Sequence, residues 1–236
     1  MSIEAPRELT IALRVYPGLS KTPAFFPTDK LKLFGLSLRS LIPALSGVNA
    51  KLIVMLDGCP PEYNSLVDSL LADLPHELME LSGEGNLPTF ERQIDMLSRA
   101  ESTYVCFAED DYLYLPGSFR KALDFMASEE EADFVTLYDH LDYYRLPLHG
   151  QPVKVKEHAG QHWRQAGSTT LSFLSTPDVV REAAGALKSY CRGKHDAAMW
   201  MAVTKTHLFH PFRAIALYRK AHRYGRWIFH AWQDNF

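Results

Sequence analysis

Residues 104–117 read YVCFAEDDYLYLPG, a run of strand-forming residues that ends in three adjacent carboxylates, Glu109, Asp110 and Asp111, before a Leu-Pro-Gly turn. Like charges crowded at the end of a buried strand cost free energy unless a cation or a set of donors compensates. In an extended segment Glu109 and Asp111 point the same way and Asp110 the opposite way. A hard divalent cation, which prefers oxygen ligands, is one such compensation; the other reading is a solvated acidic turn.

Upstream of this stretch, strand and helix signals alternate, the pattern of a mostly parallel sheet with helices on its faces. LTIALRVY (9–16) reads as a first strand, and Thr28 as the cap of a helix carrying Leu31, Phe34, Leu38, Leu41, Ile42 and Leu45 at helical spacing. AKLIVMLDG (50–58) is a continuous apolar run, as expected of a central strand buried on both faces. Residues 63–74 read as a helix, 76–81 as a weak strand, and a helix is expected from about Thr89 with Phe90, Ile94 and Leu97 on one face. A strand at 103–108 precedes the acidic triplet.

Downstream, 117–132 reads as a helix, 133–138 as a strand, 169–175 as a strand with one solvent-facing side, and 177–187 as a helix. The pattern loosens beyond Tyr144, yet no break in composition marks a boundary. The expectation is one domain over 1–236, dividing into halves at about 115/116.

Composition narrows the class. The 236 residues are 47% hydrophobic and 22% charged, with a formal net charge of −3, which argues against a dedicated nucleic-acid binder. Three widely spaced cysteines, Cys59, Cys106 and Cys191, without a C-x-x-C pair, suggest neither a disulfide framework nor a zinc site and fit a reducing cytoplasm. The start MSIEAPRELT lacks the basic and apolar regions of a signal peptide, and no apolar run approaches ~18 residues, so a soluble protein is expected. From Arg213 to His230 there are five Lys or Arg and no Asp or Glu, interleaved with Tyr218, Tyr224, Trp227, Ile228 and Phe229. This segment suits either a phosphate-rich ligand or membrane surface, or a solvated basic face over an aromatic contact.

YVCFAEDDYLYLPGSF resembles the segment of GT-A fold glycosyltransferases, especially of the broad family 2 type, in which a strand ends in an Asp-x-Asp motif followed by a Leu-Pro-Gly turn. Glu109 and Asp111 match the two acidic positions, the first being Glu in place of the usual Asp. LIVMLDG matches the strand whose terminal Asp holds the nucleotide. Arg92-Gln93 falls where an Arg-Asn pair commonly lies, and GKHDAAMWMAV is similar to the acidic element before the helix that supplies the catalytic base. The resemblance covers roughly residues 8–200, and it implies a nucleotide-binding half at about 8–115 and an acceptor half at about 116–236.

What it implies is an α/β fold, a Rossmann-like mixed sheet with flanking helices of the nucleotide-diphospho-sugar transferase (GT-A) type. The implied activity is metal-dependent, inverting transfer of a sugar from a nucleotide-diphosphate donor to a hydroxyl of a carbohydrate or lipid-linked acceptor, in bacterial polysaccharide or glycoconjugate synthesis. The implied assignments are nucleotide contact by Asp57, Arg92, Gln93 and Asp110; Mn²⁺ or Mg²⁺ on Glu109 and Asp111, completed by a histidine; and Asp196 as general base. His222 is the leading candidate for that histidine, with His207, His210 and His230 as rivals. Trp163, Ser168 and Thr169 are candidates for the acceptor side, where an indole offers a stacking face to a sugar. The expected location is the cytoplasm, with contact at the inner face of the membrane through the basic C-terminal segment.

Several of these residues carry a second reading. Asp57 before Gly58 is also a common turn dipeptide, Arg92 also suits the surface of an amphipathic helix, and Asp196 also suits a helix cap. Two other functions stay open: a nucleotidyltransferase that makes nucleotide sugars, and a non-catalytic nucleotide- or sugar-binding module. Against the first stands RVYPGLSKTPAFF, whose single Gly is poor for the Gly-rich loop such enzymes place after the first strand.

Overall fold

The apolar runs at the centre of the first half become neighbouring strands of one sheet. A computed structural model describes residues 8–19, 22–129, 132–149, 153–205, 211–220 and 222–233. Strands β1 (Leu9–Val15), β2 (Ala50–Asp57), β3 (His76–Leu81) and β4 (Tyr104–Glu109) are mutually parallel. They lie in the order β3-β2-β1-β4, and a short antiparallel strand, Phe173–Ser175, closes the β4 edge. Every residue of β1 is buried, because helices cover both faces of a parallel sheet and leave no polar side for the chain to turn outward. The β3 edge keeps Glu77 and Glu80 in solvent, where charge discourages pairing with another chain.

Each parallel crossover carries a helix: α1 (Lys30–Ala44), α2 (Pro61–Leu70) and α3 (Asn86–Leu97), with α4 (Ser118–Ser128) after β4. Helix α1 buries Leu33, Phe34, Leu38, Leu41 and Ala44, the apolar stripe expected from the spacing. Its cap is Asp29 and not Thr28: the Asp29 carboxylate accepts from Lys32 N–H at 3.0 Å. Helix α3 starts at Asn86, three residues before the expected Thr89, because Gly85 reaches φ 91 and turns the chain into the helix early. Phe107 on β4 ties the layers together, 5.6 Å from Phe90 of α3 and stacked at 4.4 Å on Phe173.

The strand expected at 133–138 does not form. Val135 alone makes a bridge, exchanging both backbone hydrogen bonds with Leu174. On either side, side-chain hydroxyls take the place of the ladder: Ser175 Oγ donates to Asp133 O and Thr136 Oγ1 to Ser172 O.

The chain forms two compact units, the first comprising residues up to Leu137 with Ser172–Val180, the second Tyr138–Leu171 with residues from Arg181 onward. The first boundary therefore falls at 137/138, later in the chain than the 115/116 division expected from the sequence. In the second unit, α5 (Asp142–Arg145) is followed by an antiparallel hairpin of β5 (Val155–His158) and β6 (Gln161–Arg164), which the sequence pattern does not anticipate. The strand Phe173–Ser175 is accordingly β7. Helix α6 (Pro177–Cys191) leads to α7 (Asp196–Thr204), α8 (Pro211–Lys220) and α9 (His222–Gln233). Helix α7 is apolar nearly all round, and its residues Ala197–Ala202 are buried, as such a helix requires. Ala197, Met201 and Ala202 share a core with Leu217 of α8 and Tyr224, Ile228 and Ala231 of α9. Among the described residues no helix is long and apolar enough to cross a membrane.

Candidate functional site

The strand order reverses between β1 and β4: from β1 the chain crosses to β2 on one side, whereas β4 lies on the other. A crevice outside the carboxyl ends of the strands at such a point is where open α/β sheets bind ligands. Arg14 and Glu109, register partners across these strands, stand at that place.

Arg14 is the one charged residue of the buried strand β1 and needs a partner there. Its Nη2 donates to Glu109 Oε1 at 2.9 Å, and its Nη1 to the backbone and side-chain oxygens of Asn86 at 2.8 and 2.6 Å. Glu109 Oε2 also accepts from Ser172 Oγ at 3.4 Å. Burial pushes the Glu109 carboxyl up from its ordinary value against the opposing pull of Arg14. Asp110 is held in the same way: its carboxylate accepts from Lys30 Nζ at 2.6 Å and from Tyr16 N–H at 2.9 Å. Here too burial raises the carboxyl, opposed by Lys30. Asp111 is exposed and has no hydrogen-bond or ion-pair partner among the described residues.

The charge crowding of the triplet is thus relieved largely by the protein's own cations, two side chains at β1 and at the start of α1. Neither Arg14 nor Lys30 stands out in a search for acidic motifs. The signal for Arg14 is its place inside LTIALRV, where an unpaired charge would be intolerable.

Asp57, at the end of β2, is 4% exposed. One carboxylate oxygen accepts from the N–H groups of Gly83 and Glu84 at 3.0 and 2.7 Å, the other from Gly85 N–H at 2.8 Å. The next residue, Gly58, is at φ 67, and a Cβ there would lie 3.2 Å from the Gly83 Cα, so glycine is what lets the loop come this close. Arg92, expected at the nucleotide, makes a bidentate pair with Glu84 of the same loop, both contacts 2.7 Å. Gln93 has no exposed surface; its amide donates to the Ala12 and Ala108 carbonyls of β1 and β4 at 2.7 and 3.3 Å. Asp57 and Gln93 are therefore both engaged with the protein's own backbone.

Within the second unit, Asp196 opens α7. The residue that caps the helix is His195, so the cap reading of Asp196 shifts by one position. Asp196 Oδ1 lies 2.5 Å from His195 Nδ1 and accepts from Ala197 N–H at 2.6 Å, while the His195 ring stacks on Trp227 at 4.1 Å. Thr169 Oγ1 is 3.0 Å from the Tyr143 hydroxyl, and Arg164 donates to the Tyr143 carbonyl at 3.0 Å. Tyr143 is pushed up to about 12, first by burial and to a lesser extent by nearby negative charge, that of Asp139 and Asp196 included. Ser168, next to Thr169 in the chain, and Trp163, on β6, are partly exposed.

His222 opens α9 in the second unit, exposed, with its ring edge-on to Tyr218 at 4.7 Å. His230 is partly buried on the same helix. His207 and His210 lie outside the described residues. Among the described residues no three His, Cys, Asp or Glu side chains come together as a metal cage. What the donor chemistry does fit is a hard cation carried on one free carboxylate, Asp111, with the remaining ligands from phosphate and water, a common way for Mg²⁺ to be held.

No family profile and no curated protein matches the chain. Solved structures do. S. aureus TarS 1–349 in complex with UDP is 12% identical, with 83% of this chain and 54% of that chain covered and a TM-score of 0.54. S. aureus TarS 1–349 without the ligand gives 10% identity, 83% and 55% coverage and a TM-score of 0.51. The chain spans about half the length of these two solved chains. At this identity the likeness shows the fold alone: a mostly parallel sheet between helices, shared with those two structures.

Proposed function

We propose that the protein is an inverting glycosyltransferase that moves a sugar from a nucleotide-diphosphate donor to an acceptor hydroxyl. The observation that carries this reading is the free carboxylate of Asp111 at the β1/β4 switch point, beside two carboxylates already neutralised by Arg14 and Lys30. A diphosphate arriving there meets one unspent anion, which favours delivery with a divalent cation.

When bound, Mn²⁺ or Mg²⁺ supplies Lewis-acid stabilisation of the departing diphosphate oxygen. Asp111 would hold that ion, and Arg14 keeps Glu109 from adding a repelling charge. The loop clamped by Asp57 and by the Glu84–Arg92 pair forms the floor for the nucleoside. Asp196 accepts the proton of the acceptor hydroxyl as its oxygen bonds to the anomeric carbon and the bond from that carbon to the diphosphate breaks. Thr169, Ser168 and Trp163 orient the acceptor, a carbohydrate or a lipid-linked sugar. The work is placed in the cytoplasm, where the three free thiols stay reduced.

Isothermal titration of UDP and GDP, with Mn²⁺ and with EDTA, followed by a turnover screen of nucleotide sugars, tests the reading. Metal-dependent binding with slow donor hydrolysis supports it. Binding of a nucleoside triphosphate with release of pyrophosphate would make the protein a nucleotidyltransferase, and binding with no turnover of any donor would make it a binding module.

A further inference from the structure

Helices α8 and α9 spend one face each on the core and leave the other outside. In α8, Leu217 enters the core, while Phe212, Ile215, Ala216 and Arg219 recur at the spacing of the opposite face. Phe212 is 89% exposed and Ile215 54%. In α9, Tyr224, Ile228 and Ala231 face the core, while His222, Arg226, Phe229 and Gln233 form the other stripe, with Phe229 56% exposed and Trp232 on its flank at 47%. Large apolar side chains left in water on two consecutive helices mark a surface that something covers.

The charge of the same segment identifies what covers it. Pro211–Gln233 contains Arg213, Arg219, Lys220, Arg223 and Arg226 and no Asp or Glu, in a chain whose net charge is −3. Arg223 lies over the rings of Tyr224 and Trp227 at 5.2 and 5.9 Å, whereas Arg219, Lys220 and Arg226 are exposed beside the outward apolar residues. Cations that flank exposed aliphatic and aromatic side chains suit an interface where phosphate headgroups lie over acyl chains. A nucleic acid would use the cations but has no place for Ile215, which offers no flat ring for a base to stack on.

We propose that the outward faces of α8 and α9 dock on an anionic lipid surface, with Phe212, Ile215, Phe229 and Trp232 entering the headgroup region and Arg219, Lys220 and Arg226 pairing with lipid phosphates. Both faces belong to the second unit, and the docking does not depend on which reaction the protein performs.

Co-sedimentation of the full chain with vesicles of phosphatidylcholine, alone or mixed with phosphatidylglycerol, tests this. The expected result is binding to the mixed vesicles only, weakened by salt. Arg219→Glu with Arg226→Glu should lower the partition coefficient by about 5-fold or more for each cation removed. Phe212→Ser with Phe229→Ser should lower it by about 10-fold or more without altering the far-UV dichroism, since neither residue supports the core. Absence of binding to the mixed vesicles overturns the proposal. So does equal binding to neutral vesicles, tighter binding to an oligonucleotide, or a dimer in light scattering that the Phe212→Ser/Phe229→Ser pair dissolves, since a second copy would then be what covers these faces.

Discussion

Arg14 Nη2 and Glu109 Oε1 lie 2.9 Å apart on register partners of adjacent parallel strands, 95 residues apart in the chain. The pair sits at the mouth of the sheet with the Arg14 side chain 8% and the Glu109 side chain 26% exposed. Removing one member of a buried pair leaves the other uncompensated, whereas removing both does not. Arg14→Met should therefore destabilise by about 2–3 kcal/mol, the Glu109 exposure holding the loss below that of a fully buried pair, and Arg14→Met/Glu109→Leu should recover much of it. Urea unfolding of the four members of the cycle measures this; additive losses would mean that the two charges do not depend on each other.

Asp57 organises the turn after β3 through three backbone N–H groups. A strand-end carboxylate exposed to a cleft would be dispensable for folding, but this one is buried and fully engaged. Asp57→Ala should cost about 2–3 kcal/mol and accelerate amide exchange at Gly83, Glu84 and Gly85. Unchanged exchange at those amides would return Asp57 to the role of a ligand contact alone.

Asp111 is the free member of the triplet, so its removal should spare the fold. Asp111→Ala should keep the melting temperature of the wild type and lower affinity for a nucleoside diphosphate in Mn²⁺ by about 10-fold or more, to the level the wild type shows in EDTA. Calorimetry in both buffers decides; wild-type affinity that is indifferent to EDTA would remove the metal from the scheme.

Asp196→Asn keeps a side chain that accepts from Ala197 N–H but cannot take up a proton. Turnover should fall by ~10²–10⁴ with nucleotide affinity and melting temperature preserved. Wild-type turnover in the variant, with the true acceptor, would place the base elsewhere.

His76, at the start of β3, donates to the Leu74 carbonyl at 2.9 Å and faces Asp68 at 3.3 Å. These contacts, the Leu74 carbonyl first, raise its pKa above the ordinary 6.5. A raised folded-state value means that the native state binds the proton more tightly than the unfolded chain. The stabilisation is complete below pH 6.5 and disappears as pH rises through the folded-state pKa. The melting temperature of the wild type relative to His76→Gln should decline across that window, and a difference constant with pH would contradict the assignment.

The local sequence determined the elements whose burial is simple. Continuous apolar runs became β1, β2 and β4, and the 3.6-residue stripe of α1 lies on the sheet, because a segment buried on one face or on both needs only its own side chains to declare it. The hairpin of β5 and β6 was illegible for the opposite reason. Its residues are largely exposed on both faces, so no alternation was written into VKEHAGQHWR, and its turn rests on Ala159 and Gly160 at φ 50 and 74. Residues 133–138 carry strand composition, yet only tertiary context decided that β7 offers them a single bridge. At the site, the acidic triplet was visible from its spacing, but the division of labour within it was not. Which carboxylate is neutralised depends on Arg14 and Lys30, far away in the chain, and pairing of charges across a sheet is settled by strand order and register, which local patterning does not encode.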